Sequence, residues 1–163
     1  GGGRDGAEPM ALQYAGERTR GDRAIVRGAV ARDWHALSYA SDELRADRSL
    51  VLDCIRAFGY ALKHASADLR ADREVVRAAV AGPGSGGALA HASEELRDDA
   101  DLVLAAVATD GDALYFASDR LRYDREFVLK AVRRNPEAFA AAPEPLRDDK
   151  SVLLASSGFD GEI

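Results

Sequence analysis

One charged pentapeptide recurs along this chain: "LRADR" at Leu44–Arg48 and Leu69–Arg73, with "LRDDA" at 96, "LRYDR" at 121, "LRDDK" at 146 and "TRGDR" at 19. The arginines at its second position (Arg20, Arg45, Arg70, Arg97, Arg122, Arg147) could form a ladder of guanidiniums for a repeating polyanion. An aspartate stands two residues after each of them, at Asp22, Asp47, Asp72, Asp99, Asp124 and Asp149, and cancels that charge. The other chemistry is structural: the arginine bonds the carboxylate, the last carbonyls of the preceding helix or the next unit. The pairs Arg45 and Asp47, Arg70 and Asp72, Arg97 and Asp99, and Arg122 and Asp124 are read as such a turn.

Other reactive side chains are few. His35, His64 and His91 show no metal-ligand spacing such as H-E-x-x-H. His64 and His91 hold equivalent places in adjacent units, about 10 Å apart, too far to share a metal bound at about 2 Å. Cys54 stands where the other copies have Ala or Ser, which reads as a small buried residue. "GPGSGG" lacks the Lys-Ser/Thr of a phosphate loop. No catalytic, cofactor-binding or metal-binding residue is assigned, and the chain reads as having no catalytic activity of its own.

The elements that carry these residues follow from the repeat. Units begin at Ala11, Ala36, Ala61, Ala88, Ala113 and Ala138, with spacings of 25, 25, 27, 25 and 25 residues. The two extra residues fall in "AGPGSGG" (81–87), read as a lengthened loop. Counting from the leading Ala, small or apolar residues at positions 2, 5, 6 and 9 trace one helical stripe, helix A. After the Asp at position 12, apolar residues at 15, 16, 19 and 20 trace helix B, with that Asp as its N-cap. Asp33, Ser85, Asp110 and Asn135, three residues ahead of their leading alanines, are expected to cap helix A. Two helices of roughly nine to twelve residues are marginal alone, but stacking buries a continuous core. The expectation is an all-α fold, an α-solenoid of about six 25-residue helix–turn–helix repeats. Residues 1–10 read as a flexible tail, and 11–163 as a single helical-repeat domain. Asp160–Ile163 aligns with Asp110–Ala113, which reads as the start of a seventh unit and hence a fragment of a longer array.

Composition narrows the function classes. With 47% apolar residues and 31% charged, the chain has a globular balance. Its net charge of −6 disfavours nucleic acid as a partner. No apolar run approaches the roughly 18 residues of a membrane span. One cysteine excludes an intrachain disulfide and, with the missing span, favours an intracellular soluble protein.

"ALKHASADLRADREVVRAAV" (Ala61–Val80) and "ALYFASDRLRYDREFVLKAV" (Ala113–Val132) resemble the helical repeat catalogued as domain of unknown function 4116, approximately "ALxYAS-x-x-L-x-x-DREVVLxAV". The resemblance covers Ala11 to about Leu154 and is strongest in the middle four units. It implies a fold and no mechanism, cofactor or catalytic residue. Similar repeats are abundant in unicellular eukaryotes such as algae, with some in bacteria.

In solenoids, positions that vary on a constant frame are where partners bind. Here they are Gln13, Ser38, Lys63 and Tyr115 at position 3, and Trp34, Phe58, Tyr60, Arg133 and Arg134 between units. These residues are the candidate surface for a protein partner of unidentified nature. The reading is therefore an interaction scaffold. The alternative is a spacer subunit of a large assembly, with an enzyme a distant third.

Overall fold

A computed structural model describes residues 9–82, 85 and 87–158. The tail at 1–8, part of the Gly-rich insertion (83, 84 and 86) and the segment 159–163, with its seventh-unit register, lie outside the described residues.

Helix B forms in all six units: Arg23–Val30, Arg48–Ala57, Arg73–Ala81, Ala100–Thr109, Arg125–Arg134 and Lys150–Ser156. Its start is set by the position-12 aspartate, whose carboxylate accepts first-turn backbone N–H groups in every copy. Asp72, for example, accepts from Glu74 and Val75, and Asp47 accepts from Leu50. Burial follows the expected stripe. Leu50, Val51, Cys54 and Ile55 in the second unit, and Val75, Val76, Ala79 and Val80 in the third, are all essentially inaccessible.

The first half of each unit is not one helix. In the second unit it divides into a 3-10 turn, Trp34–Tyr39, and a single α-turn, Asp42–Arg45. Ala40 (φ −65°, ψ 157°) and Ser41 (φ −62°, ψ 160°) lie between them in extended conformation. The third, fourth and fifth units repeat this break at Ala65–Ser66, Ala92–Ser93 and Ala117–Ser118. Two bonds hold it. Each serine Oγ accepts the N–H of the position-9 leucine, from Leu44, Leu69, Leu96 and Leu121, at 3.3–3.4 Å. Each serine N–H donates to the position-10 arginine carbonyl of the preceding unit, as Ser41 to Arg20 (3.0 Å) and Ser66 to Arg45 (2.9 Å). A continuous helix would have to give up that bond between units, so the stripe at positions 2, 5 and 9 is buried by a broken segment. The expected nine-to-twelve-residue helix A is corrected accordingly.

The units stack in two layers. From the second unit to the sixth, each helix B packs on the next, and the 3-10 turns pack on one another along a second layer. Each of the first four helices B also meets the 3-10 turn of the following unit, and the fifth meets the α-turn Ala138–Ala141. One apolar cluster runs from Leu12 to Val152, and among the described residues no polar or charged residue is buried in it. The molecule is an all-α solenoid. Its first 3-10 turn, Pro9–Tyr14, begins inside the expected tail, two residues before the leading alanine, as do the turns that open at Trp34, Gly59 and Gly111.

Helix A caps form at Asp33, which accepts from the His35 N–H (2.9 Å), at Asp110 from Asp112 (3.0 Å) and at Asn135 from Glu137 (3.1 Å). Ser85 does not cap with its side chain. The inserted residues shift the turn so that Gly87, at φ 72°, precedes Ala88–His91, and only the Ser85 carbonyl takes part. A left-handed φ of this kind favours glycine.

Candidate partner-binding edge

The layer of 3-10 turns brings variable residues of successive units into one cluster. Trp34 opens the second unit's turn and is half-buried. Its ring stacks on His35 (centroids 3.7 Å), Phe58 (5.0 Å) and His64 (5.6 Å), and meets Tyr60 edge-on at 5.8 Å. Tyr60 in turn meets His91 edge-on at 5.1 Å, and Lys63 Nζ lies 5.8 Å over the Tyr60 ring. Phe58 occupies the place of a capping aspartate, with the same extended backbone (φ −155°, ψ 106°) as Asp33 and Asp110. It gives up the cap bond and supplies a ring to the stack.

A cation, Lys63, borders this cluster. His64 is held below its ordinary pKa first by burial, then by Lys63, His35, Arg45 and His91; His91 is held down by burial, then by Lys63 and Arg70. Both are therefore neutral imidazoles near pH 7. His91 Nε2 is buried and, among the described residues, has no hydrogen-bond partner. His35 differs, since its Nδ1 lies 2.7 Å from the Asp33 carboxylate.

The candidate surface residues thus divide. Trp34, Tyr60 and Lys63 meet in the cluster, and Ser38 lies on the same 3-10 turn as Trp34, its Oγ donating to the His35 carbonyl (2.7 Å). Gln13 is exposed on the first unit's turn. Tyr115 is 47% exposed on the fifth unit's turn, and its hydroxyl donates to the Ala140 carbonyl of the sixth (2.8 Å). Arg133 and Arg134 are exposed at the end of the fifth helix B, where Arg134 borders a shallow groove with Leu104 and Lys130. Phe58 stood among the variable residues between units, whereas His35, His64 and His91 were outside the candidate set. Their signal was available: all lie within a few residues of a leading alanine, the region that forms the edge.

The repeated Arg-x-Asp joins each α-turn to its helix B and takes part in the joint between units. The position-12 carboxylates are gripped by the residue after the Asp, one unit earlier: Arg23 on Asp47 (2.7 Å), Arg48 on Asp72 (3.1 Å), Arg73 on Asp99 (2.7 Å) and Arg125 on Asp149 (2.8 Å). Arg20, Arg45, Arg70 and Arg97 contribute their backbone carbonyls to the next unit, while Nε of these four and of Arg122 is buried and, among the described residues, has no hydrogen-bond partner. Of the alternatives for this arginine, a link to the next unit forms through its backbone carbonyl, whereas its own unit's Asp is turned toward helix B by the cap and meets the preceding unit's Arg with the remaining oxygen.

Other chemistry is sparse. Cys54 is buried, and burial followed by the Asp33 charge pushes its thiol up to about 12. Among the described residues no cluster of three or more His, Cys, Asp or Glu side chains is placed to hold a metal ion. No helix there is long and apolar enough to cross a membrane.

Comparison with known families returns one description, domain of unknown function (DUF4116), matched in tandem at residues 8–45, 47–97, 84–122, 99–147 and 124–156. No curated protein matches the chain, and no solved structure does.

Proposed function

The chain belongs to the DUF4116 family, a repeat of unknown function, and we propose that it is a scaffold that binds a partner protein through the edge of 3-10 turns and has no catalytic activity of its own. One observation carries this reading: the half-buried cluster of Trp34, Phe58, Tyr60, His64 and His91. Apart from the equivalent His64 and His91, these side chains differ from unit to unit, while the buried frame beneath them repeats. Tyr and Trp anchors beside cationic side chains are the composition of binding hot spots. Rings already held by stacking lose little freedom on association.

The test is affinity capture from native extract with the whole chain and with the double variant Trp34→Ala, Tyr60→Ala. A partner retained by the parent and lost by the variant, with unchanged circular dichroism, is the expected result. Identical sets of captured proteins would sink the assignment of this edge.

A further inference from the structure

We infer that the edge takes an extended acidic segment of the partner, with apolar side chains on Trp34 and Tyr60 and carboxylates on Lys63, Arg45 and Arg70. This rests on the scaffold reading above and names the chemistry of what is bound.

The argument starts from where charge is left uncompensated. In a chain of net charge −6, most arginines on the helix B side are paired across units. Along the edge the pattern reverses. Lys63 is exposed and, among the described residues, in no ion pair; nor is Arg70. Arg45 Nη1 lies 3.8 Å from Asp42, whose side chain is 95% exposed, so the outer end of this guanidinium is at the surface. Ala67 stands in the third unit where Asp42 stands in the second, so Arg70 at the equivalent place has no such carboxylate. With Nε of both arginines buried and unpartnered, their Nη groups are the donors left for a ligand. The Arg45 carbonyl accepts from the Ser66 N–H and the Arg70 carbonyl from the Ser93 N–H (2.9 Å each), two residues after His64 and His91, which places both arginines beside the segments that carry the aromatic cluster.

Spacing gives the segment its form. Equivalent residues of stacked units lie about 10 Å apart, which an extended chain spans in about three residues at about 3.3 Å each. Carboxylates at every third residue would meet Arg45 and Arg70 in succession, and an apolar residue beside each would reach an aromatic ring. A continuous polyphosphate fits less well. Exposed carboxylates at Asp42, Glu43, Asp68, Glu94 and Glu95 border the strip and would repel a charged backbone, whereas discrete carboxylates can sit between them.

The experiment is fluorescence anisotropy with the whole chain at low salt. The probe is a labelled peptide with Glu at every third residue and Leu after each Glu; the controls are its Gln counterpart and a labelled oligothymidine. The Glu peptide is expected to bind at least about tenfold more tightly than the Gln peptide, and to weaken by at least about tenfold in Lys63→Gln, Arg70→Gln. The single Lys63→Gln change, at an exposed position, is expected to weaken it by a few-fold and guards against misfolding of the double variant. Equal binding of the Glu and Gln peptides, tighter binding of the oligothymidine, or no binding of the Glu peptide would each overturn the proposal. If both peptides bind alike and both are lost in Trp34→Ala, the acidic partner falls while the edge survives as a binding surface.

Discussion

Asp72 carries two duties that separate under substitution. Its carboxylate accepts the N–H groups of Glu74 and Val75 and also meets Arg48 of the preceding unit. The Val75 bond first, then Arg48, holds its pKa below the usual carboxylate range. Asp72→Ala is expected to cost about 1 kcal/mol through the lost cap. The ion pair adds little, because both partners keep considerable exposure. Urea unfolding measures the loss; a midpoint equal to that of the parent would show that the cap is idle. The titrating groups also predict a two-stage pH profile. His64 and His91 have folded pKa values below the unfolded value near 6.5, so the unfolded chain takes up protons first and stability declines as pH falls below about 6.5. Asp33, Asp47, Asp72 and Asp99 are depressed. Their contribution is present above about pH 4 and is lost as pH falls through their folded values. Thermal unfolding across pH 3 to 8 should show both declines. With His64→Gln and His91→Gln together, the upper one should be largely removed.

At the scale of elements, two glycines with opposite environments test the packing. Gly59 opens the third unit's 3-10 turn, and a Cβ there would lie 2.1 Å from the Ala79 carbonyl oxygen. Backbone must move to admit it, so Gly59→Ala is expected to cost at least about 2 kcal/mol, in the range of overpacked cores. Gly28, inside Arg23–Val30, has nothing within 4 Å of a Cβ. There Gly28→Ala should stabilise by about 0.5–1 kcal/mol, since helix interiors favour alanine. Denaturant midpoints that moved the same way in both variants would contradict this packing. The elements also show what local pattern conveys. Helix B was legible because its cap and its buried stripe lie within one short stretch of chain. Helix A was legible as a buried stripe but not as a broken one. Its i, i+3, i+7 apolar spacing survives the break, and the small residue at position 6 served equally well as a helical residue or as a cap. Pro143, standing where four units have serine, was the local hint that a helix starts there.

For the whole molecule, the joints between units decide how evenly the stack is held. The ladder of Arg to the next Asp skips one step, because Ala100 stands where Arg23, Arg48, Arg73 and Arg125 stand. At that joint Asp98 compensates. It accepts from Ser118 and from Arg120 Nε (2.9 and 3.0 Å), while Arg120 Nη2 also bonds the Asp98 carbonyl (3.0 Å). Those two partners, Ser118 first, hold the Asp98 pKa down. Ala100→Arg restores the missing partner for Asp124 and should raise stability by about 0.2–1 kcal/mol, as exposed pairs do. The gain should shrink in high salt and vanish when Asp124→Asn is added. In a linear array each joint contributes separately, so hydrogen exchange in the fourth and fifth units should report the change more strongly than the first.

What the sequence determined by itself is whatever a single unit encodes: the period near 25, the six aspartate caps, the apolar positions and the all-α solenoid that stacking them requires. These are local signals, written in spacing and cap chemistry. Tertiary structure decided the relations between residues a unit apart. Ser41 breaks helix A because the Arg20 carbonyl of the previous unit takes its N–H. Asp47 pairs with Arg23 across 24 residues instead of with Arg45 two residues away. Trp34, Phe58, Tyr60, His64 and His91 become one surface only when their 3-10 turns are laid side by side. The physical reason is common to all three: each depends on the register between neighbouring units, which packing of the buried alanines and leucines sets and no single unit contains.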